Sequence, residues 1–340
     1  MAEGRASITF DQSLPPTQGD AMIRLTTLLA VLLFPSAVLA WSATGHHVVC
    51  VVAYDLMSED TRAEAMGILS HHPDFNTTFK PPSNVTQQAN IERWQIGVAG
   101  CWPDIIRRSD EDRPKWHYQL GATLVIDDAE ADEPPGPLPI DATMDTKDLH
   151  IFQALELALK VYRDEAQPKA DRAIALCWIC HLVGDSHQPC HVGSLYAPCF
   201  RGGDRGANSI RLVGGGNLHS AWDRLLGSRA TANDVRRRVA ELELTPLSIT
   251  PTTRVAPTKV WQKEARDFAK ENVYTNEVLA PVRGASRNGE RLPNLQLSDE
   301  YFSAAGRIAK MQAAVAGHRL ASLLSGVELL AEDDTPWQVR

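Results

Sequence analysis

The sequence predicts an all-α fold, and three observations carry that expectation. Residues 145–164 place Leu149, Phe152, Leu155 and Leu159 at three- and four-residue steps, with Ile151, Ala158 and Tyr162 beside them, which is the period of a helix with one apolar stripe. Residues 170–185 are apolar nearly all round, the pattern of a helix buried on every side. A single segment, residues 208–213, reads as a strand, and it is expected to form one side of a small β-hairpin.

The other elements follow in chain order. Residues 45–57 form an apolar run. Ser58-Glu59-Asp60-Thr61 is a cap-rich start for a helix reaching Ser70. Residues 71–84 read as a loop, and residues 87–106 as a helix as far as Pro103. The acidic, Pro-rich stretch 127–139 is expected to be an exposed loop, and 201–216 is rich in glycine. Helical patterns at 231–243, 257–274 and 298–327 complete the chain. No internal repeat is present and no Pro/Gly/Ser linker is long enough to divide it, so residues 41–340 are expected to form a single-domain helical bundle.

The first forty residues read differently. MIRLTTLLAVLLFPSAVLA, residues 22–40, has a basic start at Arg24, a short apolar region and a small-residue cleavage site at Val38-Leu39-Ala40. Pro35 and Ser36 interrupt the apolar run, which is shorter than a membrane span needs. A cleaved signal peptide, hence a secreted or periplasmic protein, is the expectation; residues 1–21 would be an upstream extension that is disordered or not translated. Cleavage after Ala40 would make Trp41 the first residue. An oxidising destination would permit disulfides, and Cys190 and Cys199, which flank a short loop, are the expected local pair. Cys177 and Cys180 read as two buried small hydrophobes.

Composition bounds the function. A chain that is 44% hydrophobic is not generally disordered. With 34 Lys+Arg against 42 Asp+Glu, net charge −8, it cannot present a broadly basic surface to nucleic acid. A phosphate-bearing partner would need positive charge from elsewhere, such as bound metal.

The candidate ligands supply that possibility. His181 and Asp185 are four apart in the apolar helical run and share one face, where burying either alone would be costly. By itself such a pair is most often a buried ion pair. His191 then follows within the next turn of chain, and His219 with Asp223 repeats the spacing. Imidazole and carboxylate so spaced can clamp one divalent ion at the zinc distance. Asp104 follows Trp102-Pro103 and precedes Arg107 and Arg108, while His117 lies between Trp116 and Tyr118. A free amine on Trp41 and its own carbonyl oxygen could chelate a metal, with His46 five residues on.

These stretches together resemble the secreted, single-strand-specific zinc nucleases of the S-one/P-one type, which share a helical fold with zinc phospholipase C. The matching residues are Trp41 to His46, Trp102-Pro103-Asp104, Trp116-His117-Tyr118, His181 to His191 and Asn217 to Asp223. The Gly-rich Arg201 to Ile210, Trp261 to Glu264 and Ala316 to Ala321 also match, so the likeness spans nearly the whole of residues 41–340. The resemblance implies three zinc ions. One would be held by Asp104, His117, His181 and Asp185; a second by the amine and carbonyl of Trp41 with His46 and Asp185; a third by His191, His219 and Asp223.

It further implies hydrolysis of single-stranded DNA and RNA to 5′-phosphorylated products by zinc-activated water, with 3′-nucleotidase activity as an extension. Asp104 and Arg107 would be the catalytic residues, and Tyr118 with Arg107 would bind substrate. One position departs from the fungal pattern: Leu120 stands where an acidic residue helps to bind the base. His47, His71, His72, His150, His187 and His318 match no ligand position; His187 is expected to support a ligand from behind, the others to be packing or surface residues. The rival readings are a lipid phosphodiesterase of the zinc phospholipase C kind and a non-catalytic protein that zinc merely stabilises.

Overall fold

A helix apolar on every face has to be surrounded, and in the computed structural model the helix at Lys169–Ser186 is. The structure describes residues 41–127, 129–200, 202–243 and 258–327; the expected extension and signal peptide lie outside them. In chain order the elements are α1 (Ala43–Leu56), α2 (Glu59–Leu69), α3 (Gln88–Ile105), β1 (Gly121–Val125), α4 (Ile151–Arg163), α5 (Lys169–Ser186), α6 (Pro189–Val192), β2 (Gly193–Tyr196), α7 (Leu218–Asp223), α8 (Ala232–Glu243), α9 (Thr258–Phe268), α10 (Asn276–Asn288) and α11 (Asp299–Leu324). A π-helical turn, Ala269–Val273, extends α9.

Helices α1, α2, α3, α4, α9 and α11 all pack on α5. Its residues from Ala175 to Ser186 are buried without exception. Local chemistry sets the ends of several elements. Ser58 accepts a hydrogen bond from the Thr61 amide at 3.2 Å to cap α2, Asn217 accepts from Ser220 at 2.7 Å to cap α7, and Ser298 accepts from Tyr301 at 3.1 Å to cap α11. The apolar stripe at 149–162 faces the core as expected, although α4 begins only after His150.

Three expectations are corrected. Helix α3 continues past Pro103 to Ile105; the proline removes the one backbone bond that residue 103 would give to residue 99, and the helix ends two residues later. Residues 208–213 do not form a strand. Only isolated bridges occur there, Arg211 with Asn217 and Leu212 with Leu295, within a tight turn closed by the Leu218 amide on the Ile210 carbonyl at 2.9 Å. The sheet lies elsewhere, and it is parallel: Gly121 pairs with Gly193, Ala122 with Ser194, Leu124 with Leu195 and Val125 with Tyr196. Cys190 and Cys199 are both free. Cys190 is buried in a second hydrophobic cluster, while the Cys199 thiol turns toward the Val282 carbonyl at 3.9 Å.

The close approach of α1 and α11 depends on one residue. A Cβ on Gly317 would lie 2.4 Å from Val52 Cγ1 and 3.2 Å from the Val49 carbonyl oxygen. Gly317→Ala should therefore force these helices apart and lower stability by about 1–3 kcal/mol, read as a lower denaturant midpoint with an unchanged slope.

Candidate metal centre

The polar residues gathered around the C-terminal end of α5 come from six places in the chain. Helix α5 supplies His181 and Asp185, α1 supplies His46, and the last turn of α3 supplies Asp104. The turn before β1 brings His117, α6 brings His191, and α7 brings His219 and Asp223. Asp185 is the meeting point. Its Oδ1 is 3.2 Å from His46 Nε2, and its Oδ2 is 3.0 Å from His181 Nε2, 3.4 Å from His117 Nδ1 and 3.8 Å from His191 Nδ1. Asp185 and these four imidazoles are wholly buried.

Backbone carbonyls aim three of the rings. The Nδ1–H of His181 donates to the Gly100 carbonyl at 2.7 Å, that of His191 to the His117 carbonyl at 2.6 Å, and that of His219 to the Gly206 carbonyl at 2.6 Å. A carbonyl can only accept, so each bond fixes the tautomer and leaves Nε2 as a lone pair facing its neighbours. Parallel pairing of β1 with β2 sets the second bond, since the Gln119 amide also donates to the His191 carbonyl at 2.9 Å. The third depends on the Gly-rich loop, which Asp204 ties down by accepting from the Leu195 amide at 3.0 Å and the Tyr274 hydroxyl at 2.9 Å.

Charge within the site is uneven. Burial alone would raise the Asp185 carboxyl, but the His181, His191 and His117 rings beside it outweigh that and hold the group well below the usual range. Burial pushes Asp223 up to about 8, against the pull of His219 and Gln188. Burial lowers His117 to about 4 and also lowers His46 and His219. His181 goes the other way, because Asp185 and Asp104 overcome its burial. A carboxyl that resists ionising alone will release its proton to an arriving cation.

The donor set fits metal. Three groups, the first two sharing His181, each have ligand atoms within 4.8 Å of one another: His46, Asp104 and His181; His117, His181 and Asp185; His191, His219 and Asp223. Both carboxylate oxygens of Asp185, both ring nitrogens of His46 and Nε2 of His117 are buried without a hydrogen-bond partner. Four ligands around a zinc at its normal bond lengths stand about 3.3 Å from one another. The nitrogen of His117 lies 2.7 Å from that of His181, and the Nε2 atoms of His191 and His219 are 3.1 Å apart. His219 Nε2 is 3.6 Å from Asp223 Oδ2. These groups could each hold a metal ion.

The remaining expected residues fall around this centre. Trp41 is fully buried, its indole N–H donating to the Gly184 carbonyl at 3.0 Å. A Cβ on Gly184 would come within 2.8 Å of His46 Nδ1, so this glycine lets α1 and Trp41 close on α5. Arg107 reaches Asp104 Oδ1 at 3.4 Å and Asp112 Oδ1 at 3.5 Å. The side chains of Asp104 and Arg107 are 13% and 14% exposed, whereas those of His46, His117, His181 and Asp185 are fully enclosed. Tyr118 is half-buried, its ring 6.4 Å from that of His150. Leu120 packs against the Gly-rich loop, its Cδ2 3.0 Å from where a Gly206 Cβ would lie.

His187 supports the centre as a tie rather than as a ligand. Its Nε2 accepts from Arg319 at 2.9 Å, and Arg319 also pairs with Glu264 at 2.8 Å and lies over Trp261. The two C-terminal motifs thus meet at the turn between α5 and α6. Sequence reasoning missed Gln188, whose side-chain amide donates to Asp223 Oδ1 at 2.7 Å while its oxygen caps α6. A polar residue directly before Pro189 was the available signal. It also missed Asp112, which caps the Arg108 amide at 2.9 Å besides holding Arg107.

Comparison with known proteins agrees with this geometry. The family model described as S1/P1 Nuclease matches residues 41–328. Endonuclease 4 of Arabidopsis thaliana is 24% identical over 306 residues, covering 85% of this chain and 89% of that protein. Endonuclease 2 of the same plant is 30% identical over 157 residues, 45% of this chain and 51% of its own length. Nuclease P1 of Penicillium citrinum is 27% identical over 202 residues, 57% of this chain and 62% of its own.

Gln188→Ala should free the Asp223 carboxylate to turn. Zinc affinity of the His191, His219 and Asp223 group is expected to fall by about 10–100-fold while the other groups keep theirs; competition with a chromophoric chelator would read the loss.

Proposed function

The chain belongs to the S1/P1 nuclease family and is a hydrolytic endonuclease; from that premise we propose that it is an exported three-zinc phosphodiesterase cutting single-stranded DNA and RNA to 5′-phosphorylated products, with 3′-nucleotidase activity. The observation that carries the reading is the convergence on Asp185 of buried ring nitrogens from α1, α5 and the turn before β1, with both Asp185 oxygens and His46 Nε2 left without a hydrogen-bond partner. A closed structural zinc needs four ligands and no sharing. Here neighbouring groups share His181 and abut through Asp185.

In this reading Asp104, His117, His181 and Asp185 hold one zinc. His46 and Asp185, with the amine and carbonyl of a processed Trp41, hold the second, and His191, His219 and Asp223 hold the third. When bound, the ions would lower the pKa of water toward neutrality and offset phosphate charge that an acidic chain could not. The protein's own groups do the rest. Asp104, at the exposed edge of the enclosed cluster, accepts a hydrogen bond from the attacking water and keeps it in line with phosphorus. Arg107, steadied by Asp112, donates to the phosphoryl oxygens as negative charge builds there.

Single-strand preference follows from enclosure. A recessed centre reaches a phosphodiester only when the strand is unpaired, with a base laid on an aromatic ring, a contact worth about 1–3 kcal/mol. Tyr118 is that ring. Leu120 offers the base no carboxylate, so stacking, rather than a hydrogen bond at this position, holds it. Export is supported by the signal-like residues 22–40 and by a family match that starts at Trp41.

Wild-type protein with zinc should degrade single-stranded DNA and RNA, lose that activity to a chelator, and leave phosphatidylcholine intact; cleavage of the lipid instead would reverse the reading. Asp185→Asn should remove two ions per chain by metal analysis, and the loss of one alone would disprove the bridging role. Protein retaining Ala40 ahead of Trp41 should be folded but largely inactive, because an amide nitrogen cannot replace the amine; full activity in that form would remove the terminal chelate.

A further inference from the structure

Ser42 stands where the cap of α1 belongs, yet its side chain does not cap that helix. A serine in this place ordinarily accepts a hydrogen bond from an amide of the first turn. Here the hydroxyl donates instead to the Gly227 carbonyl, 185 residues away in sequence. The Ser42 amide donates to the Asp223 carbonyl at 2.9 Å, and the Ser42 carbonyl accepts from Gly45 at 2.7 Å and His46 at 3.3 Å. Every polar group of this one residue is engaged, and two of them reach the turn that ends α7.

That turn is shaped to receive it. Asp223 is the last residue of α7, where backbone carbonyls lack partners within the helix, and the Ser42 amide supplies one. Gly227 has φ +116°, open to glycine and strained for other residues, and a Cβ there would lie 3.3 Å from Thr44 Cγ2. Leu226 is buried, its Cδ1 3.4 Å from where a Cβ on Gly45 would stand, with Trp41 Cβ 2.7 Å from the same point.

The bond to Asp223 acts one residue back. The peptide joining Trp41 to Ser42 is trans, and a trans peptide is planar, with C=O and N–H on opposite edges. Once its N–H is fixed on Asp223, the direction of the Trp41 carbonyl oxygen is fixed with it. The Trp41 side chain is held separately, by its indole bond to the Gly184 carbonyl at 3.0 Å. A Cβ on Gly184 would lie 2.8 Å from His46 Nδ1 and 3.8 Å from Trp41 Cδ1, so Trp41 and His46 meet beside the residue that precedes Asp185.

On the reading that a processed Trp41 chelates zinc, we propose that Ser42 is the positioning residue of that chelate. By clamping the chain end to the turn after α7 it aims the Trp41 amine and carbonyl at one ion. It also mounts the group of Trp41, His46 and Asp185 on the helix that carries His219 and Asp223. Ser42 acts through Trp41 and does not itself hold the ion.

Two measurements on zinc-loaded protein beginning at Trp41 test this: release of ions to a chromophoric chelator, and modification of the terminal amine by an aldehyde selective for α-amines. Ser42 has φ −50° and ψ 159°, a backbone that proline accepts, so Ser42→Pro deletes both donors without asking the chain to bend. One ion per chain should be held about 10–100-fold more weakly in Ser42→Pro, the other two being unchanged. Ser42→Ala, which loses the hydroxyl alone, should fall at the lower end of that range, and Ser42→Thr, which keeps both donors, should match the wild type. The amine should be modified faster in the same order. A role confined to stability would weaken all three ions together or none, and either result overturns the proposal. So does a Ser42→Ala protein as tight and as protected as the wild type, whether or not the proline form folds. A wild-type amine that reacts equally fast with and without zinc fails the chelate itself, and the proposal with it. Protection by zinc that is equal in the wild type and in Ser42→Pro leaves the chelate standing and removes the positioning role alone.

Discussion

One carboxylate sets the terms for the interior of this protein. Asp185 stands fully buried within 4 Å of ring nitrogens on four histidines drawn from three other parts of the chain and from its own helix. An isolated ionised carboxylate could not remain in such a place. It is kept charged by the rings that face it, and those rings are kept in place by what lies behind them. Remove the charge and the four imidazoles lose their common partner; remove the rings and the charge becomes untenable. The fold around α5 is the arrangement that satisfies both sides at once.

The support behind the rings is mostly backbone. Carbonyls of Gly100, His117 and Gly206 orient His181, His191 and His219. None of these contacts depends on the side chain of the supporting residue, so ring orientation is a property of chain path. That places a demand on otherwise minor features: the short parallel pairing of β1 with β2 aligns the His117 and His191 segments, and buried Asp204 anchors the loop that presents the Gly206 carbonyl. A two-stranded sheet contributes little core, but here it acts as a spacer between two ligand-bearing turns.

Much of this was legible before the fold was known. The His181–Asp185 and His219–Asp223 pairs were readable because helical spacing places both groups on one face, and both are helical. The central position of α5 was readable from its lack of a polar side. The sheet was not, because Gly121 and Gly193 are far apart in sequence and each strand is too short to show alternation. Helix α10 escaped notice; Pro281 interrupts its pattern. Gln188 was missed because a glutamine before a proline reads as a cap, and only the fold brings Asp223 to it. The Cys190–Cys199 expectation failed for a similar reason: nearness along the chain says nothing about where the thiols turn.

The indole of Trp41 reaches the carbonyl of a residue 143 positions later, and the His117 and His181 rings meet across a separation of 64. Contacts of such span are slow to form, since chain closure must precede any reward. Until they close, each helical His/Asp pair presents two donors, too few to retain an ion firmly. Capture of a metal ion by these groups would accordingly be a late event in the life of a newly made molecule. The nascent chain could not rely on such an ion to nucleate its collapse and would have to reach near-native topology on hydrophobic contacts alone.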